Sequence, residues 1–387
     1  TVDGTKNATG HVYGCFGRTT LHVGGNAVVD VTGGTEQTSG LVTINSMTID
    51  GNATVTVAAP NNSNADTGGL LADTNGGGSI TVGGNLYERI TAGKQKTYGV
   101  YAPGNIYVGG TADIVMDLTK VAGKQQTGLF STGVTLNGAA KIEMYGGSAD
   151  SALGIATNKA VLANNNLTIV LNTPNNKGIA YGIGAHGDTT LHGDTNIQVT
   201  GGVGSAQGIY TSAALSSDKI LEVTATGLNN ATAIYQGSSA GSTVFGGKTT
   251  LTATGGTSGT VYGIRGQGTL TVNAPLTITA TGGNDVAGIL EAKTTTFNDT
   301  ATVNVTGGQN IARGLSVADI TAEKALSVTV TAPFSKEATG IKASGTIVTN
   351  AGTDVTVTGN SSVGGIGINS TKAYTANGPT AVTVYNG

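Results

Sequence analysis

Hydrophobic and polar residues alternate one by one in many short segments of this chain. In the stretch VYGIRGQGTLTVNAPLTITATGG, Leu270 and Val272 alternate with Thr269 and Thr271, and the segment LTITAT then repeats the pattern. An alternation with a period of two residues predicts a β-strand that buries one face. No segment has an apolar period of 3.6 residues over a useful length, so the pattern predicts almost no helix.

The alternating segments recur at a nearly constant distance along the chain. Each repeat contains a small residue, Gly in every case but Ala233, followed by one aliphatic residue. The aliphatic positions are Cys15 (the one exception in type), Leu41, Leu70, Val100, Leu129, Ile155, Ile183, Ile209, Ile234, Ile264, Ile289, Leu315, Ile341 and Ile366. Their mean separation is about 27 residues, and a period of this length is typical of solenoid proteins.

Three short strands in each period of about 27 residues predict an all-β, three-faced β-solenoid, that is, a parallel β-helix. Each strand would pair with its equivalent one period later, and parallel crossovers are right-handed in nearly all cases. We therefore expect a right-handed parallel β-helix of about 14 rungs, where a rung is one period. Residues 1–10 would form an N-terminal edge segment, and residues 11–387 a single continuous solenoid. Cys15 would be a buried core thiol, since it occupies the aliphatic column; the alternative is a reactive or cross-linking thiol exposed at the end of the first rung.

Composition agrees with a stacked repeat and narrows the class of protein. The chain of 387 residues has 64 Gly, no Trp and 4% aromatic residues, which is thin for an ordinary globular core. Its net charge of −3, with scattered Lys and Arg, argues against a nucleic-acid partner. No apolar run approaches the roughly 20 residues of a membrane helix, which argues against membrane insertion by this segment.

The single cysteine and the first residue bear on localisation. One Cys excludes an internal disulfide framework, and secreted repeat proteins often avoid Cys. With little Lys and much Thr, Asn and Gly, this favours an extracellular or cell-surface location. Because the chain opens at Thr1, we expect a processed product whose signal peptide has been removed, or an excised segment.

The segments TLTVNA, TITATGG and GIRGQG give the chain a resemblance to the passenger regions of bacterial autotransporter adhesins. More distantly, it is similar to the pectin-lyase-like superfamily, and proteins of cell-surface sheaths and S-layers have comparable composition. The resemblance covers residues 11–385 and implies a right-handed β-helix at the cell surface. Pectin-lyase-like enzymes would imply clustered Asp with Lys or Arg on one exterior face.

The residue after the aliphatic column is aromatic in several repeats, namely Phe16, Tyr101, Phe130, Tyr210 and Tyr235. Tyr101 and Phe130 belong to adjacent rungs, as do Tyr210 and Tyr235, so each pair would stack about one strand spacing apart. Exposed aromatic ladders suit sugar stacking or protein contact. The alternative is that the rings only support the sheet through cross-strand packing.

A second candidate surface comes from two consecutive loops, TAGKQKTYG and VAGKQQTG. These would place Lys94 and Lys124 one above the other at the same corner of the solenoid. Loops of variable length are where binding surfaces often arise. A solvated, charged edge is the alternative interpretation.

The one dense polar cluster is AHGDTTLHGD, which contains His186, Asp188, His192 and Asp194. Imidazole and carboxylate groups can bind a divalent transition ion, but a strand sends alternate residues to opposite faces. These residues are therefore a weak metal candidate, and Asp side chains that brace turns are the favoured explanation. We expect no metal and no cofactor.

No acid–base cluster suited to catalysis is visible in the sequence. The sequence therefore predicts a non-enzymatic, extracellular structural protein that assembles with copies of itself into a surface layer, sheath or fibre. An adhesin stalk that binds a surface glycan or a host protein is the alternative. A polysaccharide lyase or hydrolase is less favoured.

Overall fold

The computed structural model describes residues 2–4, 10–34, 36–59, 66–72, 77–91, 95–119 and 123–386. These residues fall into two compact units, Thr1–Val203 and Gly204–Gly387. Both units are parallel β-solenoids, their rungs number about 13 with about 27 residues each, and the described residues contain no helix. The predicted all-β solenoid is thus confirmed, while its right-handed sense and the undivided 11–387 solenoid stay predictions.

The strands of unit 1 are β1 Val2–Gly4, β2 Val12–Gly17, β3 Leu21–Val23, β4 Ala27–Gly33, β5 Thr38–Thr43, β6 Met47–Ile49, β7 Ala53–Ala58, β8 Thr67–Ala72, β9 Ile80–Val82, β10 Leu86–Thr91, β11 Lys96–Val108, β12 Ala112–Asp117, β13 Gln125–Leu136, β14 Ala140–Tyr145, β15 Ser151–Thr157, β16 Val161–Ala163, β17 Leu167–Asn172, β18 Ile179–Ala185, β19 Thr189–Leu191 and β20 Thr195–Thr200.

The strands of unit 2 are β21 Ser205–Thr211, β22 Leu215–Ser217, β23 Leu221–Thr226, β24 Asn230–Gln236, β25 Ser242–Phe245, β26 Thr249–Thr254, β27 Thr260–Gly266, β28 Thr269–Val272, β29 Leu276–Thr281, β30 Asp285–Leu290, β31 Thr294–Phe297, β32 Ala301–Thr306, β33 Ile311–Val317, β34 Asp319–Ala322, β35 Leu326–Thr331, β36 Glu337–Ala343, β37 Ile347–Thr349, β38 Thr353–Gly359, β39 Ile366–Ser370, β40 Tyr374–Ala376 and β41 Thr380–Asn386.

Each rung contributes one strand to each of three parallel ladders. Ladder A contains strands such as β7, β10 and β12, and ladder B the strands that carry the Gly–aliphatic pair, such as β5 and β8. Ladder C contains the short strands between them, such as β6 and β9. Strands β11 and β13 are long because each continues from ladder B into ladder C, and their pairing shifts register between Ala102 and Asn105. The N-terminal strand β1 lies within residues 1–10 and pairs in parallel with β4 of ladder A.

The aliphatic column forms the spine of the core, with two corrections to the sequence prediction. Leu41, Leu70 and Val100 pair in register and are nearly inaccessible, as expected. Cys15 also pairs in register with Leu41, but it is exposed, so its assignment as a buried thiol was wrong. It lies in β2, the first strand of ladder B, and β5 is its one ladder partner among the residues that the structure describes.

The second correction concerns the last member of the column. Ile341 pairs with Ile368, whereas Ile366 pairs with Thr339 and is 45% exposed. The segment GGIGIN offers two Gly-Ile pairs, and the register selects the second one. The predicted column therefore ended two residues too early.

The glycine column next to the spine exists because the ladders approach each other closely there. A Cβ built on Gly128, Gly263 or Gly288 would lie less than 3.0 Å from the side chain of Ile142, Ile278 or Val303, respectively. Those residues lie in ladder A at the inward position of the same rung. The one rung with Ala at the glycine position, Ala233, has the γ-branched Leu251 in ladder A instead of a β-branched residue.

Glycine has a different role at the corner that follows ladder A. Gly282 and Gly283 have φ values of 97° and 78°, in the left-handed region that favours glycine. At another corner, asparagine side chains bridge consecutive rungs. Asn26 Oδ1 accepts a 2.8 Å hydrogen bond from the backbone N–H of Asn52, and Asn52 Oδ1 accepts one of the same length from Asn85.

Candidate functional site

Ladder B presents two outward columns of side chains, one on each side of the Gly–aliphatic pair. The column that follows the pair begins, in unit 1, with Phe16, Val42, Leu71, Tyr101 and Phe130, which pair in that order. The column that lies two residues before the spine begins with Tyr13, Ser39, Gly68 and Tyr98, also in register. The outer surface of β2, β5, β8 and β11 therefore carries aromatic residues at both ends and smaller ones between.

The aromatic residues at each end pack against each other. Tyr13 stacks on Phe16 with ring centroids 5.5 Å apart, at the β2 end. At the other end, Tyr98 contacts Tyr101 at 4.9 Å, and Tyr101 stacks on Phe130 at 5.3 Å with an angle of 11° between the rings. The predicted stacking of Tyr101 on Phe130 is thus observed.

The aliphatic side chains of Val42 and Leu71, with the buried ring of Tyr98 against them, form the floor between the two aromatic groups. Val42, Leu71 and Tyr98 are each only 6% exposed and pack together, with Tyr13, Tyr101 and Phe130 against them. Gly68 makes this floor possible, because the Leu71 side chain occupies the space that a Cβ at Gly68 would need. The result is a concave surface with a volume of about 450 Å³, which we call the aromatic cleft. Its lining residues are His11, Tyr13, Phe16, Gln37, Val42, Asp66, Leu71, Ala72, Lys96, Tyr98 and Tyr101.

The polar groups of the cleft form its rim. Tyr13 donates a 2.9 Å hydrogen bond from its hydroxyl to Gln37 Oε1. His11 Nε2 lies 3.1 Å from Glu36 Oε2, and the His11 ring stacks on Tyr13. Asp66 accepts a hydrogen bond from the backbone N–H of Lys96. Burial raises the pKa of the Tyr98 hydroxyl, and the nearby Asp66 carboxylate raises it further, so Tyr98 stays a neutral hydroxyl at physiological pH.

A buried carboxylic acid lies in the core, on the inner side of ladder A. Glu88 of β10 occupies the inward position of ladder A that holds Val55 in the preceding rung and Ile114 in the next. Its side chain is inaccessible, lies against Gly69 and Gly99, and has no hydrogen-bond partner among the described residues. Burial raises the pKa of Glu88 to about 8, so the side chain is mainly a neutral acid at pH 7.

The remaining aromatic candidates, Tyr210 and Tyr235, lie in unit 2. Tyr210 and Tyr235 pair in register, and their rings meet edge to face at 5.5 Å. The next position of the column is Arg265, whose guanidinium lies 5.4 Å from the centre of the Tyr235 ring. Arg265 also pairs with Glu291 at 3.1 Å. An ion pair therefore follows the two tyrosines where unit 1 has its aliphatic floor.

The lysine pair and the histidine–aspartate cluster are not assembled into sites by the described structure. Lys94 lies outside the described residues, and Lys124 is exposed with its backbone N–H bonded to the Gln95 carbonyl. His186 and Asp188 precede strand β19, His192 and Asp194 follow it, and all four are exposed. Among the residues that the structure describes, no three His, Cys, Asp or Glu side chains are grouped so as to hold a metal ion.

Unit 2 presents a second surface of interest, on the outer side of ladder A. Three threonine-rich columns cross strands β26, β29, β32, β35 and β38, in register. We call this surface the threonine face; its members are Thr250, Thr252, Thr254, Thr277, Thr279, Thr281, Thr302, Asn304, Thr306, Ser327, Thr329, Thr331, Asp354, Thr356 and Thr358. In these five fully described strands Asp354 is the only charged outward residue.

Sequence reasoning found half of the aromatic cleft and missed the rest. It identified Phe16, Tyr101 and Phe130 from the column after the spine but not Tyr13 and Tyr98. A signal was available, because YGCF and YGVY share a tyrosine three residues before the second aromatic residue. Both residues of the Gly–aliphatic pair are buried in ladder B, so the positions on either side of the pair share the outer surface, which a strict two-residue alternation does not anticipate.

Comparisons with known proteins add no relative. No family model, curated protein or solved structure matches this chain. The described residues include no helix of the length and apolar character that crossing a membrane would require. The solenoid fold therefore stands on the structure itself, and the resemblance to autotransporter passengers has no support from these comparisons.

Proposed function

We propose that this chain is a non-enzymatic, extracellular structural protein that packs against copies of itself in a cell-surface layer, sheath or fibre. The observation that carries the proposal is the threonine face. Its hydroxyl and methyl groups repeat at the strand spacing of about 4.8 Å across the sheet and about 6.7 Å along each strand. A regular, nearly uncharged surface of this kind can pack against the same surface of a second copy in register.

Composition and the resemblance to surface proteins support the same proposal. The chain has one cysteine and 11% charged residues. Low charge removes the repulsion that normally keeps surfaces apart. The proposed location outside the cell follows from this composition and from the resemblance to autotransporter, sheath and S-layer proteins.

Sedimentation velocity over a range of concentrations, together with electron microscopy, tests self-assembly. We expect ordered assemblies that grow with concentration. The double substitution Thr252→Lys and Thr329→Lys places like charges at the centre of the threonine face and should abolish assembly. The matched control, Thr54→Lys and Thr56→Lys, alters the outer side of ladder A in unit 1 and should leave assembly intact. A wild-type chain that remains monomeric at high concentration would contradict the proposal.

A second candidate function is adhesive binding, and the aromatic cleft is the observation that favours it. The cleft is concave, mainly apolar and edged by a few polar groups, as ligand sites are. Its volume of about 450 Å³ lies within the range of roughly 300–1,000 Å³ that is common for such sites. Under this function unit 1 presents the cleft to a ligand on another surface.

Both candidate functions are binding functions, so enzymatic cleavage of a polysaccharide by this chain would contradict both. Incubation of the chain with a panel of acidic and neutral polysaccharides, with and without calcium, should leave their chain length unchanged. Appearance of shorter or unsaturated products would replace the proposal by a lyase or hydrolase activity.

A further inference from the structure

We propose that the aromatic cleft binds a short, uncharged oligosaccharide, whose sugar rings lie against the two aromatic groups. This inference rests on the adhesive function proposed above and gives that function a ligand class. The two groups are Tyr13 with Phe16, and Tyr98 with Tyr101 and Phe130.

The geometry of the cleft fits a chain of rings better than a single small molecule. The two aromatic groups begin on β2 and β11, which are separated by β5 and β8 in ladder B. Three strand spacings amount to about 14 Å, which is the length of a short oligosaccharide. Sugar rings have apolar C–H faces, and these pack on aromatic faces and on aliphatic side chains such as Val42 and Leu71.

The rim supplies hydrogen-bonding groups of both kinds for sugar hydroxyls. Asp66 and Gln37 offer acceptor oxygens, and the Gln37 amide and Lys96 ammonium offer donors. Tyr13 already orients Gln37 through its hydroxyl. Sugar hydroxyls both donate and accept, so a rim of mixed groups suits them.

The charges at the rim argue for an uncharged ligand. Glu36 Oε2 lies 3.1 Å from His11 Nε2, and Asp66 accepts a hydrogen bond from the backbone N–H of Lys96. Two carboxylates therefore lie at or beside the rim. An acidic polysaccharide would bring its carboxylates towards Asp66 and Glu36, and burying unpaired like charges is costly.

An extended peptide is disfavoured as the occupant because the floor has no open strand edge. β5 pairs with β2 and β8, and β8 pairs with β5 and β11, so the backbone of both strands is engaged in the ladder. Recognition by strand addition requires an exposed edge. Binding in the cleft must therefore use side chains, and the side chains present are rings, aliphatic groups and a polar rim.

Isothermal titration calorimetry with the intact chain tests the proposal. The probes are neutral gluco-, manno-, xylo- and chito-oligosaccharides, an oligogalacturonate as the acidic comparator, and an aromatic-rich peptide. We expect at least one neutral oligosaccharide to bind, and the oligogalacturonate and the peptide not to bind.

Substitutions of Phe16 make the test specific, because this ring is 45% exposed and its replacement should leave the fold intact. Phe16→Leu removes the ring and should weaken binding about tenfold, whereas Phe16→Tyr retains the ring and should preserve affinity. Tyr235→Leu is the matched control, since Tyr235 lies in the equivalent column of unit 2 and should not affect binding.

The outcomes separate this inference from the proposed function. If no neutral oligosaccharide binds at millimolar concentration, or if the acidic oligosaccharide or the peptide binds instead, the inference is overturned while self-assembly is unaffected. If Phe16→Leu and Tyr235→Leu weaken binding equally, the cleft is not the site. If the bound oligosaccharide is shortened, the non-enzymatic function itself fails.

Discussion

Units 1 and 2 build the same rung from the same ladders but place different residues at equivalent positions. In ladder B, the column after the spine carries an aromatic and aliphatic surface in unit 1. The same column in unit 2 continues from Tyr235 to Arg265 and, further on, reaches Lys342. Since the backbone repeat is the same in both units, this difference on ladder B lies in outward side chains, which the fold leaves free to vary.

The outer side of ladder A differs in the opposite sense. In unit 1 it carries ion pairs such as Arg89 with Asp113 and Lys141 with Glu143. In unit 2 it is the threonine face. In unit 1 these ion pairs lie on ladder A and the aromatic cleft lies on ladder B. In unit 2 the ion pairs lie on ladder B and the nearly uncharged threonine face lies on ladder A.

The cores differ as well. Both units bury polar groups without partners among the described residues, Thr295 and Thr353 among them in unit 2, but at the following positions only unit 1 is polar. The inward column just before the glycines contains Thr67, Thr97 and Gln126 in unit 1, in addition to Glu88 in ladder A. Equivalent positions in unit 2 are Ala or Val, namely Ala206, Ala231, Val261, Val286, Ala312 and Ala338. Buried polar groups without partners destabilise a fold, so we expect unit 1 to be the less stable unit.

The largest effect should come from placing an acid in the apolar core of unit 2. Ile209 is inaccessible, and Ile209→Asp would bury an unpaired charge at a cost of about 5 kcal/mol. Hydrogen exchange measured by mass spectrometry would report the loss of protection in unit 2. Ile209→Val is the control and should cost about 1 kcal/mol. Unchanged protection in Ile209→Asp would show that this core tolerates an acid as unit 1 does.

The acid already present in unit 1 should make its stability fall as pH rises. Because burial raises the pKa of Glu88 to about 8 from an ordinary 4.5, the folded state holds a proton that the unfolded state has lost between these values. The stability that this proton confers is complete below pH 4.5 and is lost as pH rises through 8. Between pH 5 and 8 the loss should be on the order of 3 kcal/mol.

Hydrogen exchange of peptides from β10 at pH 5 and pH 8, corrected for the intrinsic exchange rate, measures this loss. Glu88→Gln should remove the pH dependence, and peptides from β32 should not show it. An identical slope in wild type and Glu88→Gln would mean that Glu88 is not the source.

A carboxylate in unit 2 should have the opposite pH dependence. Arg313 pairs with Glu337 at 2.9 Å and holds the pKa of that carboxyl below its usual range, with Lys342 adding to the effect. The stability from this pair is present above the ordinary pKa and is lost as pH falls through the lowered one. Arg313→Ala should therefore cost about 1 kcal/mol at pH 7 after screening by solvent, and little at pH 3.

Unfolding midpoints of Arg313→Ala and wild type at pH 7 and pH 3 provide the measurement. The matched control is Arg265→Ala, which removes a more exposed pair and should cost less. Equal losses at both pH values would indicate that Arg313 acts by packing and not by charge.

The smallest effect on stability is expected for substitution of Cys15, which lies in the first strand of ladder B, where the spine residue is exposed. The thiol is exposed, so it should react with a disulfide reagent in the folded protein without a change in stability. Cys15→Ser should alter the unfolding free energy by less than about 0.5 kcal/mol. Failure of the thiol to react before unfolding would show that it is covered.

The sequence predicted the ladders well because the core repeats, and predicted the sites poorly because the surfaces do not. Leu41, Leu70 and Val100 occupy a column that every rung must fill, so periodicity alone identifies them. Tyr13 and Tyr98 lie next to Tyr101 or Phe16 only because ladder B changes its alternation at the Gly–aliphatic pair. Glu88 was not noticed at all, although the alternation of LYERIT places it on the same face as Leu86 and Ile90; an acid on the apolar face of a strand was the available signal.

The glycine column has a consequence for how such a chain can change over generations. Gly263 and the side chain it accommodates, Ile278, lie 15 positions apart within one rung, as do Gly288 and Val303. Each rung thus carries both halves of its own steric match, so a gene segment that encodes one full period can be duplicated, deleted or exchanged without a compensating mutation elsewhere. Lengthening by whole periods is therefore easy for this fold.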